Sequence, residues 1–260
     1  MTANTSTLFQ FNGDNIMVRS NTINYNAPVT EAFAGSVFGE AGGSVYNNNL
    51  TIASNTISVS SSAGKANITN LLNGWANMLI TSNTISYAAN GSSPMIMYGR
   101  GGTSSLEIKH NTFAFSGATS DTDSFITIED DTSAPYNYPR TATTSYNVFY
   151  NDGTGTTTEY TAISARFFLS DSILVEDYNG FSGSFATLNT SITTGTFTSV
   201  GNSVTLSNDI PLKTLDADTT NDFELAPYSR YIDFDGTTDL GAFQTTRGSS
   251  FTIDDDGTVD

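Results

Sequence analysis

The chain contains no cysteine, few basic residues and few charged residues of any kind. Without cysteine it can form neither a disulfide framework nor a thiolate metal site, although this does not fix its compartment. Charged residues make up 13% of the chain, about half the usual share, and Ser, Thr, Asn and Gly take their place. The formal net charge of −17 at pH 7 disfavours binding to phosphate backbones and to acidic membrane surfaces. We therefore expect no nucleic acid partner, and we regard cations as the natural small ligands.

Long apolar runs and a secretion signal are also missing. No stretch of roughly 18 consecutive apolar residues is present, so the sequence predicts no membrane insertion. The start, MTANTSTLFQFNGDN, lacks a basic segment followed by an apolar core, so it predicts no signal peptide. Such a start fits an intracellularly made virion protein or an expressed fragment of a secreted protein, and the sequence leaves both open.

A short sequence pattern recurs five times along the chain. Its copies are IMVRSNTINY, LTIASNTISV, MLITSNTISY, LEIKHNTFAF and ATTSYNVFYN. All of them share an asparagine, here called the anchor: Asn21, Asn55, Asn83, Asn111 and Asn147. Successive anchors lie 34, 28, 28 and 36 residues apart, and weaker copies follow around Asp171 and Asn208. Repeats of this length with variable loops are typical of proteins built from stacked repeats.

Apolar residues recur at fixed distances from each anchor, as expected for strands with one buried face. The position five residues before the anchor holds Ile16, Leu50, Met78, Leu106 and Ala142. The position three before it holds Val18, Ile52, Ile80, Ile108 and Thr144, and the position two after it holds Ile23, Ile57, Ile85, Phe113 and Phe149. The position four after it holds Tyr25, Val59, Tyr87 and Phe115, whereas Arg19, Ala53, Thr81 and Lys109 should face solvent. We therefore predict core rows that run from repeat to repeat.

The anchor asparagine lies where the apolar alternation changes phase, so the backbone should bend there. Asn tolerates the left-handed conformation better than other non-glycine residues, and we expect it to be the turn residue. Stacked repeats would also place the anchor amides about one strand spacing apart, which predicts a ladder of side-chain hydrogen bonds. Antiparallel hairpins or a sandwich are the rival interpretation, but they predict turns about every 8 to 12 residues and no shared register.

The repeated SNTI and HNTF segments resemble the coils of the pectate-lyase-like right-handed β-helix superfamily, and the likeness extends from about Ile16 to Asn208. The segment FELAPYSRYIDFDGTTDLGAFQ, residues 223–244, is similar to the closing coil of many such proteins. Its matching residues are Ser229, Ile232, Asp233, Asp239, Gly241, Ala242 and Phe243, whereas Arg230 stands in place of the family's usual proline. The resemblance implies an all-β, right-handed parallel β-helix (solenoid) over residues 1–244 with a C-terminal capping coil. An acidic C-terminal extension, residues 245–260, would follow it.

The insertion between Asn111 and Asn147 is the strongest candidate for a binding site. It contains DTDSFITIEDDTSAPYNYPR, which combines carboxylates, aromatic rings and one guanidinium group. Aromatic rings stack on sugar faces, and carboxylates and Arg hydrogen-bond hydroxyls, so this composition predicts glycan binding. A stiff polar loop without a ligand is the alternative, because Pro135 and Pro139 rigidify the insertion. The candidate glycan-binding residues are Asp121, Asp123, Glu129, Asp131, Tyr136, Tyr138 and Arg140.

The superfamily includes polysaccharide lyases, hydrolases and epimerases, so the resemblance raises the question of catalysis. A lyase acting on uronic acids needs a base, usually Lys, Arg or His, and a cation or Arg that neutralises the carboxylate. The chain has only three lysines and one histidine, and the candidate catalytic residues are Lys109, Arg100 and Glu107. We expect Lys109 and Glu107 to face outward from one strand and to meet Arg100 in a cluster. His110 occupies the position that serine takes in three other repeats, so we assign it to the turn.

A hydrolase would be expected to combine paired and nearby single aspartates with a Gly-His-Gly-like element and an Arg-x-Lys element, and this set is absent from the sequence. The EDDT segment at Glu129 offers adjacent carboxylates, but consecutive residues on a strand face opposite ways and cannot both serve one glycosidic bond.

Two acidic C-terminal segments share the spacing of part of a calcium loop. DFDGTTD and DDDGTVD each place carboxylates at positions one, three and seven around a glycine, but the distant bidentate Glu of an EF-hand is missing. Acidic turns that hold no metal have the same pattern and are the alternative. The candidate calcium ligands are Asp233, Asp235, Asp239, Asp254, Asp256 and Asp260.

Together these observations favour a noncatalytic structural or recognition module of an extracellular, cell-surface or virion protein. Its expected partner is a polysaccharide or cell-surface glycan, and calcium is the one cofactor that the sequence suggests. A polysaccharide lyase or epimerase acting on acidic polysaccharide is the first alternative. A purely structural virion or filament subunit that associates with itself is the second.

Overall fold

A computed structural model describes a chain that is all-β and rich in parallel strands. The described residues are 7–11, 13–27, 35–40, 47–61, 66–70, 75–90, 97–99, 105–118, 124–130, 140–151, 161–183, 185, 187–191, 194–206 and 240–241. These ranges contain 21 strands and no α-helix. Within this part of the chain, no helix has the length and apolar character needed to cross a membrane.

The strands are short and rich in Thr, Ile and Phe, β-branched and aromatic residues that fit a pleated, half-buried surface. The first eleven are β1 (Thr7–Phe11), β2 (Ile16–Arg19), β3 (Thr22–Ala27), β4 (Gly35–Glu40), β5 (Asn47–Ala53), β6 (Thr56–Ser61), β7 (Ala66–Asn70), β8 (Trp75–Thr81), β9 (Thr84–Asn90), β10 (Met97–Gly99) and β11 (Ser105–Lys109). The others are β12 (Thr112–Ala118), β13 (Ser124–Glu129), β14 (Thr141–Ser145), β15 (Val148–Asn151), β16 (Thr161–Arg166), β17 (Ile173–Asp177), β18 (Gly180–Gly183), β19 (Thr187–Ser191), β20 (Thr196–Ser199) and β21 (Val204–Leu206).

Two long parallel sheets are built from the residues on either side of the anchors. The pre-turn sheet contains the strands that precede an anchor, in the order β2-β5-β8-β11-β14-β17-β20. The post-turn sheet contains the strands that follow an anchor, in the order β3-β6-β9-β12-β15-β18-β21. Two shorter parallel sheets have the orders β1-β4-β7 and β10-β13-β16-β19. Within each sheet, neighbouring strands are parallel and three strands apart along the chain, which is consistent with a parallel β-solenoid and contradicts the rival of antiparallel hairpins.

The strand register confirms the predicted core rows. Met78 pairs with Leu50 on one side and with Leu106 on the other, and all three side chains are buried. Phe113 pairs with Phe149, and their stacked ring centroids lie 5.0 Å apart. Because each buried apolar side chain of this size contributes about 1.5 to 3 kcal/mol, the rows are the main source of stability in this part of the chain.

The anchors form the predicted ladder of hydrogen bonds. From Asn21 to Asn179, each anchor Nδ2 donates to Oδ1 of the next anchor, at 3.0, 2.9, 2.9, 3.0 and 3.0 Å. The same Oδ1 accepts the backbone N–H of the preceding anchor, as Asn83 Oδ1 does from Asn55 N at 3.0 Å. Nδ2 also donates to a carbonyl of the previous repeat, as Asn83 Nδ2 does to Ile52 O at 2.9 Å. The ladder therefore satisfies buried polar groups and ties neighbouring repeats together.

The left-handed turn residue is the one before the anchor, so the prediction that the anchor itself takes this conformation is wrong. The side-chain amide of the anchor instead forms hydrogen bonds with the anchors of the preceding and following repeats. The assignment of His110 to the turn is confirmed. The residues that directly precede the six anchors have the φ angles Ser20 (56°), Ser54 (54°), Ser82 (56°), His110 (53°), Tyr146 (56°) and Tyr178 (50°).

The weaker copy of the repeat that was predicted around Asp171 lies instead at Asn179. The sixth anchor is Asn179, whose Oδ1 accepts Asn147 Nδ2, and not a residue near Asp171. Ser203 takes the next anchor position, because its Oγ accepts Asn179 N at 2.8 Å. Asn208 lies outside the described residues.

Two residues of the predicted closing coil are described, Leu240 and Gly241. Leu240 is buried, and Gly241 N donates to Tyr146 O at 2.8 Å. A Cβ on Gly241 would lie 2.6 Å from Thr112 Oγ1 and 3.3 Å from Val148 Cγ2. Gly241 therefore lies against β12 and β15, which are interior strands of the post-turn sheet.

Thr112 and Val148 are buried although they alternate with the inward rings of Phe113 and Phe149. The outer side of the post-turn sheet is thus covered at these two strands. The rest of residues 223–244, the boundary at 244 and the extension 245–260 lie outside the described residues, and the capping coil stays a prediction.

Candidate functional site

Of the predicted catalytic residues, the structure describes Lys109 and Glu107. Both face outward from β11 as predicted, and Lys109 Nζ lies 2.7 Å from Glu107 Oε1. Their side chains are 35% and 44% exposed, so water screens this ion pair and its contribution to stability stays below about 1 kcal/mol. Arg100 lies outside the described residues, so a cluster of all three stays a prediction.

Beside Lys109, the left-handed turn position carries a ring in three successive repeats. His110 stacks on Tyr146 with ring centroids 5.1 Å apart and ring planes 17° apart. Tyr146 stacks on Tyr178 with the same centroid separation of 5.1 Å and planes 4° apart. All three side chains are half-buried. We call these three residues the ring row. Their stacking was not predicted, because it depends on the register of the repeats, and the sixth anchor, which follows Tyr178, was placed at the wrong residue.

The backbone does not require rings at this position. Ser20, Ser54 and Ser82 hold the same left-handed conformation in the first three repeats. The left-handed conformation costs serine and a ring residue alike roughly 1 to 2 kcal/mol, and each ring stack offsets about 0.5 to 1.5 kcal/mol of this cost. The rings therefore stabilise their turns by stacking, and they also present an aromatic surface that the serine-containing repeats lack.

His110 is electrically neutral at neutral pH. Burial lowers the pKa of His110 below its ordinary value of 6.5, and the positive charge of Lys109 lowers it further. Glu107 raises the pKa of His110, but this is the weakest of the three influences. A neutral imidazole can stack on Tyr146 without burying a charge.

A second row of asparagines runs along the outer face of the pre-turn sheet. Asn49 Nδ2 donates to Asn15 Oδ1 at 2.6 Å, and Asn77 Nδ2 donates to Asn49 Oδ1 at 2.9 Å. Closer to the ring row, Ser145 and Asp177 continue the outward row of Lys109. The outer face of the pre-turn sheet thus presents amides, hydroxyls and a few charges in straight rows.

The predicted glycan-binding insertion contains a buried strand. Strand β13 lies inside it, and the side chains of Phe125 and Ile128 are fully buried. Glu129 is the last residue of that strand. Arg140 is 1% exposed, and its backbone N donates to Ser172 Oγ at 2.9 Å. The residues Asp121, Asp123, Asp131, Tyr136 and Tyr138 lie outside the described residues, so glycan binding by the whole set stays a prediction.

Asp130, in the same insertion, has a structural role. Its buried carboxylate accepts hydrogen bonds from the backbone N–H groups of Phe168 and Leu169 and from the hydroxyl of Ser172. Three donors on one carboxylate fix the turn between β16 and β17. An acidic residue in this insertion is therefore not necessarily a surface residue.

The calcium candidates Asp233, Asp235, Asp239, Asp254, Asp256 and Asp260 all lie outside the described residues, so calcium binding stays a prediction. Among the residues that the structure does describe, no group of three or more His, Cys, Asp and Glu side chains is arranged to hold a metal ion.

Comparison of the chain with protein-family models, with curated proteins and with solved structures found no match. The all-β architecture with parallel sheets is compatible with the pectate-lyase-like superfamily, but the resemblance itself rests on the repeat and the closing segment. We therefore derive a function from the ring row and its surroundings.

Proposed function

We propose that the chain is a right-handed parallel β-helix that serves as a noncatalytic recognition module and contacts glycans through the ring row. The supporting observation is the replacement of serine by stacked rings at a turn position where the backbone requires none. Such a module would belong to an extracellular, cell-surface or virion protein. The pectate-lyase-like superfamily is the proposed family, on the strength of the repeat and the closing segment.

The chemistry of the ring row suits sugars. Tyr146 and Tyr178 combine apolar ring surface with a hydroxyl that can donate or accept a hydrogen bond, and sugars combine apolar C–H faces with hydroxyls. Lys109, Ser145 and Asp177 flank the rings with further donors and acceptors. Because the row advances by one ring per repeat, it fits an extended saccharide lying across several strands better than a single sugar in a deep pocket.

The test compares glycan binding by the wild-type chain with that by Tyr178→Ser, on an array of neutral and acidic polysaccharides. Serine is the residue that other repeats place at this position, so the variant should fold. We expect at least about a fivefold loss of affinity, because removing an aromatic contact residue from a binding surface typically costs more than about 1 kcal/mol.

Phe168→Ser is the matched control, since Phe168 is an exposed ring (54%) outside the ring row. Its binding should equal that of the wild type. No binding by the wild type at millimolar protein, or equal binding by Tyr178→Ser, would refute glycan contact through the ring row.

A polysaccharide lyase or epimerase is the second candidate function. The observation that favours it is the lowered pKa of His110, which leaves an imidazole able to accept a proton beside Lys109. Incubation with anionic polysaccharides would then produce the absorbance of an unsaturated product or, for an epimerase, a change in uronic acid composition. Either signal should disappear in Lys109→Ala, and their absence in the wild type favours the noncatalytic module.

A further inference from the structure

The ring row is straight and evenly spaced. Its ring centroids are 5.1 Å apart at both steps, and the ring planes differ by 17° and 4°. Tyr146 N donates to Tyr178 O at 2.9 Å, and His110 N donates to Ser145 O at 3.2 Å. Each of these turns is therefore tied to the next repeat by a backbone hydrogen bond, and the spacing of parallel strands fixes the step of the row.

The turn position continues the row beyond the rings. Ser82, Ser54 and Ser20 occupy it in the three preceding repeats, with the same left-handed conformation. Ser20 and Ser54 are exposed, and Ser82 is half-buried. A long ligand can therefore follow the turn position from the three rings to three serine hydroxyls.

The described residues that flank the ring row favour a ligand without negative charge. The charge of Lys109 is balanced by Glu107, whose Oε1 lies 2.7 Å from Lys109 Nζ. Asp177, at the other end of the row, adds a negative charge and accepts Tyr178 N at 3.0 Å. The whole chain has a formal net charge of −17. Both the local and the total charge therefore repel a polyanion.

The step of the row distinguishes between classes of neutral glycan. In β-1,4-linked glucose, mannose and N-acetylglucosamine, equatorial linkages hold the chain close to full extension, and each sugar advances it by nearly the distance between neighbouring rings. In α-1,4-linked glucose the axial linkage makes the chain coil, so successive sugars leave a straight row. Because the backbone fixes the row, it cannot adapt to a coiled chain, whereas an extended chain loses little conformational entropy on binding.

We propose that the glycan bound by the ring row is a neutral polymer of β-1,4-linked hexoses, extended along the direction in which the repeats stack. One sugar lies beside each of the three rings, and further sugars lie beside the serine hydroxyls of the preceding repeats. This ligand class presupposes the proposed glycan function of the ring row.

The test measures the affinity of the full chain for oligomers of β-1,4-linked glucose, from the monomer to the hexamer, by titration calorimetry. We expect the affinity to rise about fivefold for each added sugar up to the trimer, because each addition brings one more ring into contact. The rise should be smaller from the trimer to the hexamer, where the added sugars meet serine hydroxyls. The hexamers of β-1,4-linked mannose and N-acetylglucosamine, titrated in parallel, identify the preferred sugar.

Two variants connect this length profile to the ring row. In Tyr178→Ser, which has the residue of the first three repeats, the steep part of the rise should end one sugar earlier. Phe168→Ser, the control outside the row, should keep the wild-type profile. A residue with a purely structural role would change the affinity for all lengths alike.

Two further hexamers separate shape from charge. The α-1,4-linked glucose hexamer has the same sugar in a coiled chain, and we expect it to bind at least about tenfold more weakly, because it contacts fewer rings. The β-1,4-linked mannuronic acid hexamer has the linkage of the mannose hexamer and a carboxylate on each sugar. It should bind at least about tenfold more weakly than the mannose hexamer at low salt, and the difference should shrink at about 1 M salt, where charge is screened.

Binding of either of these hexamers as tightly as its matched neutral β-linked hexamer, with loss of binding in Tyr178→Ser, would overturn the ligand class and leave glycan contact through the ring row intact. An affinity that does not rise beyond the monomer would also overturn it, since a single sugar would then fill the site. Failure of every glycan on the broader array to bind would instead refute the proposed function itself, and the ligand class with it.

Discussion

At the scale of single residues, each anchor asparagine uses its whole amide. Asn83 Nδ2 donates to Asn111 Oδ1 and to Ile52 O, and Asn83 Oδ1 accepts both N and Nδ2 of Asn55. The donors and acceptors at both ends of these hydrogen bonds are buried, so the loss of one amide leaves several buried polar groups without partners. The anchors therefore connect neighbouring repeats through polar contacts, as the core rows do through apolar contacts.

We expect Asn83→Ala to lower the free energy of unfolding by about 3 kcal/mol, because it leaves buried donors and an acceptor without partners. Thr81→Ala, a change on the outward face two residues away, should lower it by at most about 1 kcal/mol. Urea denaturation of both variants measures the difference. Equal destabilisation by the two changes would contradict the role of the ladder.

His110 gives a pH-dependent prediction at the same scale. Its folded-state pKa lies below the unfolded value of 6.5, so the folded state binds the proton less tightly. The stability associated with the neutral imidazole is complete above pH 6.5 and is lost as the pH falls through the lowered, folded-state pKa. His110 is the one histidine of the chain, so an NMR titration of its ring protons gives the folded-state pKa without overlap.

The corresponding variant is His110→Ser, which restores the residue of the first three repeats. Its stability should fall less between pH 7 and pH 5 than that of the wild type. A measured pKa at or above 6.5, or an identical pH dependence of the two proteins, would contradict the effect of burial and Lys109.

At the scale of strands, the sequence predicted most where the repeat is regular. The rows through Leu50 and Phe113 were visible because each repeat keeps the same spacing from a recognisable anchor. The sixth anchor was missed because LVEDYNGFSG keeps the spacing but replaces the usual Thr-Ile by Gly180-Phe181 and a core aliphatic residue by Glu176. A charged residue in a core row interrupts the apolar alternation by which a strand is recognised in the sequence. Its burial depends on hydrogen-bond partners from other repeats, which the local sequence does not show.

The contact of the C-terminal segment with the post-turn sheet also belongs to this scale. Gly241 has a φ of 88° and faces Thr112 Oγ1 and Val148, so Gly241→Ala adds both backbone strain and a steric clash. We expect a loss of about 2 kcal/mol in the free energy of unfolding, or release of the segment. Denaturation combined with limited proteolysis distinguishes these two results.

Gly201→Ala separates the two effects. Gly201 has a similar φ of 93°, but no atom lies within 4 Å of an added Cβ, so the change brings backbone strain without a clash. It should destabilise by about 1 kcal/mol and leave protease sensitivity unchanged. If Gly241→Ala behaves like Gly201→Ala, the close contact with the sheet is wrong.

At the scale of the whole molecule, the sequence predicted the parallel stacking but not which polar residues it buries. Asp130 and Arg140 come from an insertion whose composition is that of a surface loop, yet both are buried. Their burial depends on residues more than thirty positions away, such as Ser172, which no local pattern reveals. The ring row likewise exists only because the register brings three distant turns together.

Every proposal above depends on parallel, in-register stacking of the repeats, and engineered cysteines test it directly because the chain has none of its own. Ala53 and Thr81 are strand partners on the outward face, so their Cα atoms lie about 4.8 Å apart, within disulfide range. Lys109 lies one strand further, at roughly twice that distance from Ala53, which is out of range. Stacking predicts that oxidation of Ala53→Cys/Thr81→Cys forms an intramolecular disulfide and that oxidation of Ala53→Cys/Lys109→Cys does not. No disulfide in the first variant, or an equally fast one in the second, would contradict it.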